Sequence, residues 1–132
     1  MLSRNKEQEK ILFVVYQYLF YQRMNRDDLV GVMEDVFEMP YDEISLFAKE
    51  VCVKTLRHQK EIDEVIAAHL RKWTLERINL VAHAILLFAI GEYRYTDACN
   101  KAEMIDIAVQ LAKKYLDDND YKYIHAILDK VL

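Results

Sequence analysis

The sequence predicts an all-α domain, a compact orthogonal bundle of about seven helices, and three observations carry that expectation. Only two glycines and one proline occur in 132 residues, whereas sheets and loop-built sites need more of both. Apolar residues recur at i, i+3, i+4 and i+7 along nearly the whole chain. The longest apolar stretch, Leu80 to Ile90, is eleven residues, too short to span a bilayer and right for a buried central helix. Hydrophobic residues make up 53%, and no repeat, linker or low-complexity tract interrupts the chain, so one domain over residues 1–132 is expected.

The elements follow from the stripes. Ile11, Val14, Val15, Tyr18 and Leu19 define the first helix, and Leu29, Val32, Met33, Val36 and Phe37 the second. Arg23 to Arg26 is the break between them, with Asn25 the expected N-cap. Pro40 ends the second helix by excluding α geometry from the residue before it. Asp42 is the expected cap of a third helix burying Ile44, Phe47, Ala48 and Val51. The phase changes near His58–Lys60, and Ile62, Val65, Ile66 and Leu70 make a fourth helix ending near Trp73. Thr74 is expected to cap the fifth, running to about Tyr93. Asn100 and Glu103 resemble a capping box ahead of a stripe of Ile105, Ala108, Val109 and Ala112. After the polar break at residues 117–120, Tyr121, Ile124, Leu128 and Val131 give the seventh helix.

Catalytic chemistry finds no foothold in the sequence. Gly31 and Gly91 both fall inside helices, so no glycine-rich phosphate loop is expected. None of His58, His69, His83 and His125 has a glutamate three residues before it, and no HExxH occurs, so neither a metal site nor a cofactor is expected. The acidic run at 117–120 lacks the glycine and closing glutamate of a calcium loop and reads as a solvated turn. Cys52 and Cys99 are far apart and fit buried thiols in a reducing cytosol. The charged N-terminus lacks the shape of a secretory signal, and a cytoplasmic, non-enzymatic protein with no membrane segment is the expectation.

Net charge is −4, which argues against nucleic-acid binding by bulk electrostatics alone. Residues 1–26 nevertheless carry Arg4, Lys6, Lys10, Arg23 and Arg26 against Glu7 and Glu9, a local excess of cations. On charge alone this segment fits a soluble helix start as well as a phosphate-binding arm.

Four ordered motifs add a family. Tyr16-Gln17 late in the first helix, Trp73-Thr74-Leu75-Glu76-Arg77-Ile78 followed by Ala84-Ile85-Leu86 and Ala89-Ile90-Gly91-Glu92, Ile105 to Lys113, and Tyr123 to Asp129 together resemble the NusB family of bacterial transcription antitermination factors. The resemblance covers essentially the whole chain. It implies an all-α fold of about seven helices that binds RNA without catalysis. It further implies a ribosomal protein partner, NusE, a boxA-type RNA element in nascent ribosomal transcripts, and an RNA polymerase antitermination complex as the setting.

On that resemblance the RNA-binding candidates are Arg4, Lys6, Lys10, Asn119 and Lys122, and the partner-binding candidates Tyr16, Ala82, His83 and Leu87. The family arm is arginine-rich, whereas the matching positions here are Arg4, Asn5, Lys6 and Gln8, so binding by the arm alone is expected to be weak. The chain has Ala82, His83 and Leu87 where the family often has charged residues, which makes the fifth helix unusually apolar. Either a more hydrophobic partner surface or a homodimer is expected to cover it. Helical spacing makes core packing the expectation for Tyr18, Phe20 and Tyr123. The competing expectation is a protein-interaction module that has kept the fold and lost RNA. An accessory domain of a ribosomal RNA methyltransferase ranks last, because the sequence ends at Leu132.

Overall fold

The computed structural model describes residues 2–132. Seven α-helices follow one another, and no strand occurs among the described residues. Helix α1 spans Arg4–Gln22, and the Ser3 side chain caps it by accepting from the Lys6 amide. Asn25 is no N-cap: it sits at φ 57° in the tight turn after α1, a left-handed conformation that asparagine tolerates. Asp28 caps α2 (Leu29–Phe37) by accepting from Gly31 N, and Glu38, also left-handed, ends it.

A single 3-10 turn at Tyr41–Glu43 takes up Asp42, so the cap of α3 (Leu46–Arg57) is Ser45. Helix α4 (Gln59–Ala68) begins at the phase change, immediately after His58. Thr74 precedes another 3-10 turn, Leu75–Arg77, and Asn79 caps α5 (Leu80–Tyr95) by accepting from Val81 N. Both parts of the Asn100–Glu103 capping box are formed at the start of α6 (Lys101–Tyr115). Helix α7 (Asp118–Val131) starts within the acidic run instead of after it, placing Asp118 and Asp120 where the positive end of the helix dipole favours them.

The core is built on α5. Every residue from Ala82 to Glu92 is buried, and α1, α3, α4, α6 and α7 all pack against this helix. At Gly91 the approach is close enough that a Cβ would come within 2.1 Å of Thr55 Oγ1 on α3. The apolar surface of α5 is therefore covered by the chain's own helices, and the expectation that a partner or a second copy must cover it is corrected. No helix among the described residues is long and apolar enough to cross a membrane.

Candidate nucleic-acid interface

The first turn of α1 presents three exposed polar side chains, Arg4, Asn5 and Lys6. Helical geometry begins at Arg4, so these residues are part of a capped helix. The guanidinium of Arg4 lies 3.6 Å above the centre of the Phe47 ring, a cation–π contact that holds the charge at the surface. The carboxylates that dilute the segment in sequence are both engaged. Ser45 Oγ donates to Glu7. Glu9 Oε2 accepts from Lys114 Nζ and Tyr115 Oη, each at 2.6 Å, and Glu9 Oε1 lies 3.9 Å from Lys6 Nζ. The Lys114 hydrogen bond, more than that of Tyr115, holds the Glu9 carboxyl below its ordinary range.

These contacts join α1 to the end of α6. Between the two helices lies a cleft of about 550 Å³ whose walls include Asn5, Lys6, Gln110, Lys113 and Lys114. Lys113 Nζ sits 5.2 Å from the centre of the Tyr121 ring, which ties this corner to the start of α7. The Phe13 and Tyr115 rings meet edge-on with centres 5.6 Å apart. Lys6, Lys113 and Lys114 thus share this cleft with two carboxylates, the exposed Asp106 and the already engaged Glu9. Such a surface can bind phosphates, since three lysines face two carboxylates and Glu9 is already neutralised by Lys6 and Lys114. Sequence reasoning missed Lys113 and Lys114 as site residues. Their adjacency in the last turn of α6 was visible, but their nearness to residues about a hundred positions away was not.

The other candidates fall elsewhere. Lys10 Nζ donates to the carbonyl of Val36 at 3.1 Å, so its ammonium serves the carbonyl end of α2. Asn119 and Lys122 are exposed on the first turns of α7. The structure does not bring them into the cleft beside Lys6, and Asn119 instead lines a separate cleft with Trp73. Tyr16 is exposed, midway along a stripe of Phe13, Tyr16 and Phe20 on α1. Phe20 is 46% exposed, against the expectation of core packing, whereas Tyr18 is half-buried with its hydroxyl donating to Asp27.

Ala82 and Leu87 have no exposed surface, which corrects their reading as partner contacts. His83 is buried too, and its Nε2 lies 2.7 Å from Asp63 Oδ1 on α4, so that nitrogen carries a proton shared with a neighbour inside the chain. Cys52 is fully buried, and desolvation pushes its thiol up, away from reactivity. No cluster of three or more metal-ligating side chains occurs among the described residues.

Comparison with known proteins fits this geometry. The model of the NusB family matches residues 5–132. The transcription antitermination protein NusB of Oceanobacillus iheyensis is 32% identical over 131 residues, which is 99% of each chain. Its counterpart in Geobacillus kaustophilus is 37% identical over 107 residues, covering 74% of this chain and 82% of the relative. Among solved structures, T. maritima NusB superimposes with a TM-score of 0.83 at 22% identity, over 98% of this chain and 90% of that one. A chain from the crystal structure of antitermination factors NusB and NusE in complex with dsRNA gives 0.81 at 21% identity, over 97% and 94%. A family match over nearly the whole chain, with a relative above 30% identity end to end, means that this chain belongs to the NusB family.

Proposed function

We propose that the protein is a transcription antitermination factor that binds boxA-type RNA of nascent ribosomal transcripts together with the ribosomal protein NusE, and so helps RNA polymerase resist termination. The observation that carries this reading is the convergence of Lys6, Lys113 and Lys114 on one exposed cleft, with Arg4 exposed on the same first turn of α1 as Lys6. The known relatives are transcription antitermination proteins, and one structural neighbour is a NusB–NusE complex with RNA, which supports the same reading. In this proposal residues 1–132 act as a single RNA-binding domain, cytoplasmic and without catalysis. The NusE contact includes the exposed aromatic stripe around Tyr16. A mobility shift with boxA-like and scrambled RNA, with and without NusE, tests it. Selective binding strengthened by NusE is the expected result; folded protein that binds neither RNA in either condition overturns it.

That same stripe favours one second reading, a protein-interaction module without RNA. Three exposed aromatic rings on one helix face are an interaction surface whether or not RNA is bound. NusE binding with no RNA binding at any ionic strength would select this reading.

A further inference from the structure

The connection between α4 and α5 and the outer face of α7 enclose a second cleft, of about 810 Å³. Its size suits one or two nucleotides. Trp73, the only tryptophan in the chain, stands in its wall with 59% of its surface exposed, although the other large apolar side chains of the region are largely packed away. Around it are Arg71, Lys72 and Arg77 from the connection and Lys130 from α7. None of these four cations takes part in an ion pair among the described residues. Asp120 is the one carboxylate in the wall, and Asn119 adds an exposed amide at the rim. In a chain of net charge −4, four uncompensated cations beside a bare indole are a local inversion of the molecule's character.

We infer that this cleft is a single-stranded RNA subsite, in which an unpaired base stacks on Trp73 and its flanking phosphates lie on Arg71, Lys72, Arg77 and Lys130. The inference rests on the RNA-binding reading above and deepens it. Stacking asks for an open π face, and unpaired bases supply the complement that a paired duplex withholds. Arginine and lysine offer phosphates charge-assisted hydrogen bonds with no competing acid to displace beyond Asp120. An acidic protein segment would match the cations and leave the exposed indole and the amide of Asn119 unexplained. RNA accounts for all three.

Because Trp73 is the sole tryptophan, its fluorescence reports the cleft directly. The protein is titrated with a single-stranded boxA-like RNA carrying unpaired flanks, and with the same sequence as a duplex. The single strand is expected to quench Trp73 and the duplex to leave it nearly unchanged. Trp73→Ala should weaken single-strand binding about tenfold, with Trp73→Phe keeping most of the affinity. Arg71→Ala with Arg77→Ala should lower the salt slope by roughly 0.7 for each phosphate that is no longer neutralised. These side chains lie outside the core, and an unchanged circular dichroism spectrum verifies that each variant folds. Full RNA binding by Trp73→Ala in a mobility shift, with wild-type fluorescence unquenched, overturns the subsite and leaves the RNA-binding reading standing. Equal quenching by an acidic peptide also overturns it, in favour of a protein-facing anion site. Absence of any shift with wild-type protein overturns both readings.

Discussion

Glu92 is a carboxylic acid in the middle of a hydrocarbon core. Its Oε2 accepts from Gln8 Nε2 at 2.7 Å and from Cys99 Sγ at 3.3 Å, while Oε1 and the Oε1 of Gln8 are both buried without a partner. Burial raises its pKa above the ordinary 4.5, and the two hydrogen bonds and the charge of Arg4 offset this only in part. A proton on Glu92 turns one orphan acceptor into a donor, so the acid form suits the site better than the anion. The folded state then binds more protons than the unfolded one above pH 4.5, and stability falls as pH rises through the raised value. Glu9 acts in the other direction and in another window. Its lowered pKa gives stability that is present above 4.5 and lost on acidification below it. Glu92→Gln, which keeps the shape and removes the titration, should therefore flatten the decline above 4.5 and leave the acid limb in place. Thermal melts across pH check this, and a decline that survives the substitution would assign it to another group.

Helix ends and helix faces differed in how far local sequence could define them. The capping box of α6 was readable because both partners lie within three residues of each other. The caps of α2, α3 and α5 were each misplaced by three to five residues: Asp28 for Asn25, Ser45 for Asp42, and Asn79 for Thr74. In each case two capping-type residues compete, and a left-handed turn or a 3-10 turn takes up the earlier one. The face of α6 was also rotated slightly, since Met104 and Leu111 are buried where Ile105 and Val109 are only half-covered. Helix α5 gives the clearest energetic expectations. Leu86 is wholly buried, and Leu86→Ala should cost about 2–5 kcal/mol in chemical denaturation, from lost transfer energy and the cavity left behind. Gly91→Ala should destabilise by about 1–3 kcal/mol for the opposite reason, a methyl forced into Thr55 where α3 and α5 nearly touch. A tolerant Gly91→Ala would show that the two helices can separate without loss.

Across the whole molecule, residues from opposite ends of the chain make the basic corner. Arg4→Ala with Lys6→Ala should weaken RNA binding by about 1–3 kcal/mol and leave the helical spectrum intact. Lys113→Ala with Lys114→Ala should cost a similar amount, and all four together less than the sum, because Lys6 and Lys114 share Glu9. Strict additivity in a mobility-shift series would mean that the two pairs bind independently. By itself the sequence determined the helical class, the number of helices and the buried fifth helix, because periodicity and the scarcity of glycine and proline act within a few residues. It also marked Arg4 and Lys6 as exposed cations. Tertiary structure alone decided that Lys113 and Lys114 stand beside Lys6, that Lys10 is occupied at the end of α2, and that Ala82 and Leu87 face the chain's own core. Proximity across about a hundred residues and the side from which an apolar helix is covered are set by how helices pack, which leaves no local mark in the order of residues.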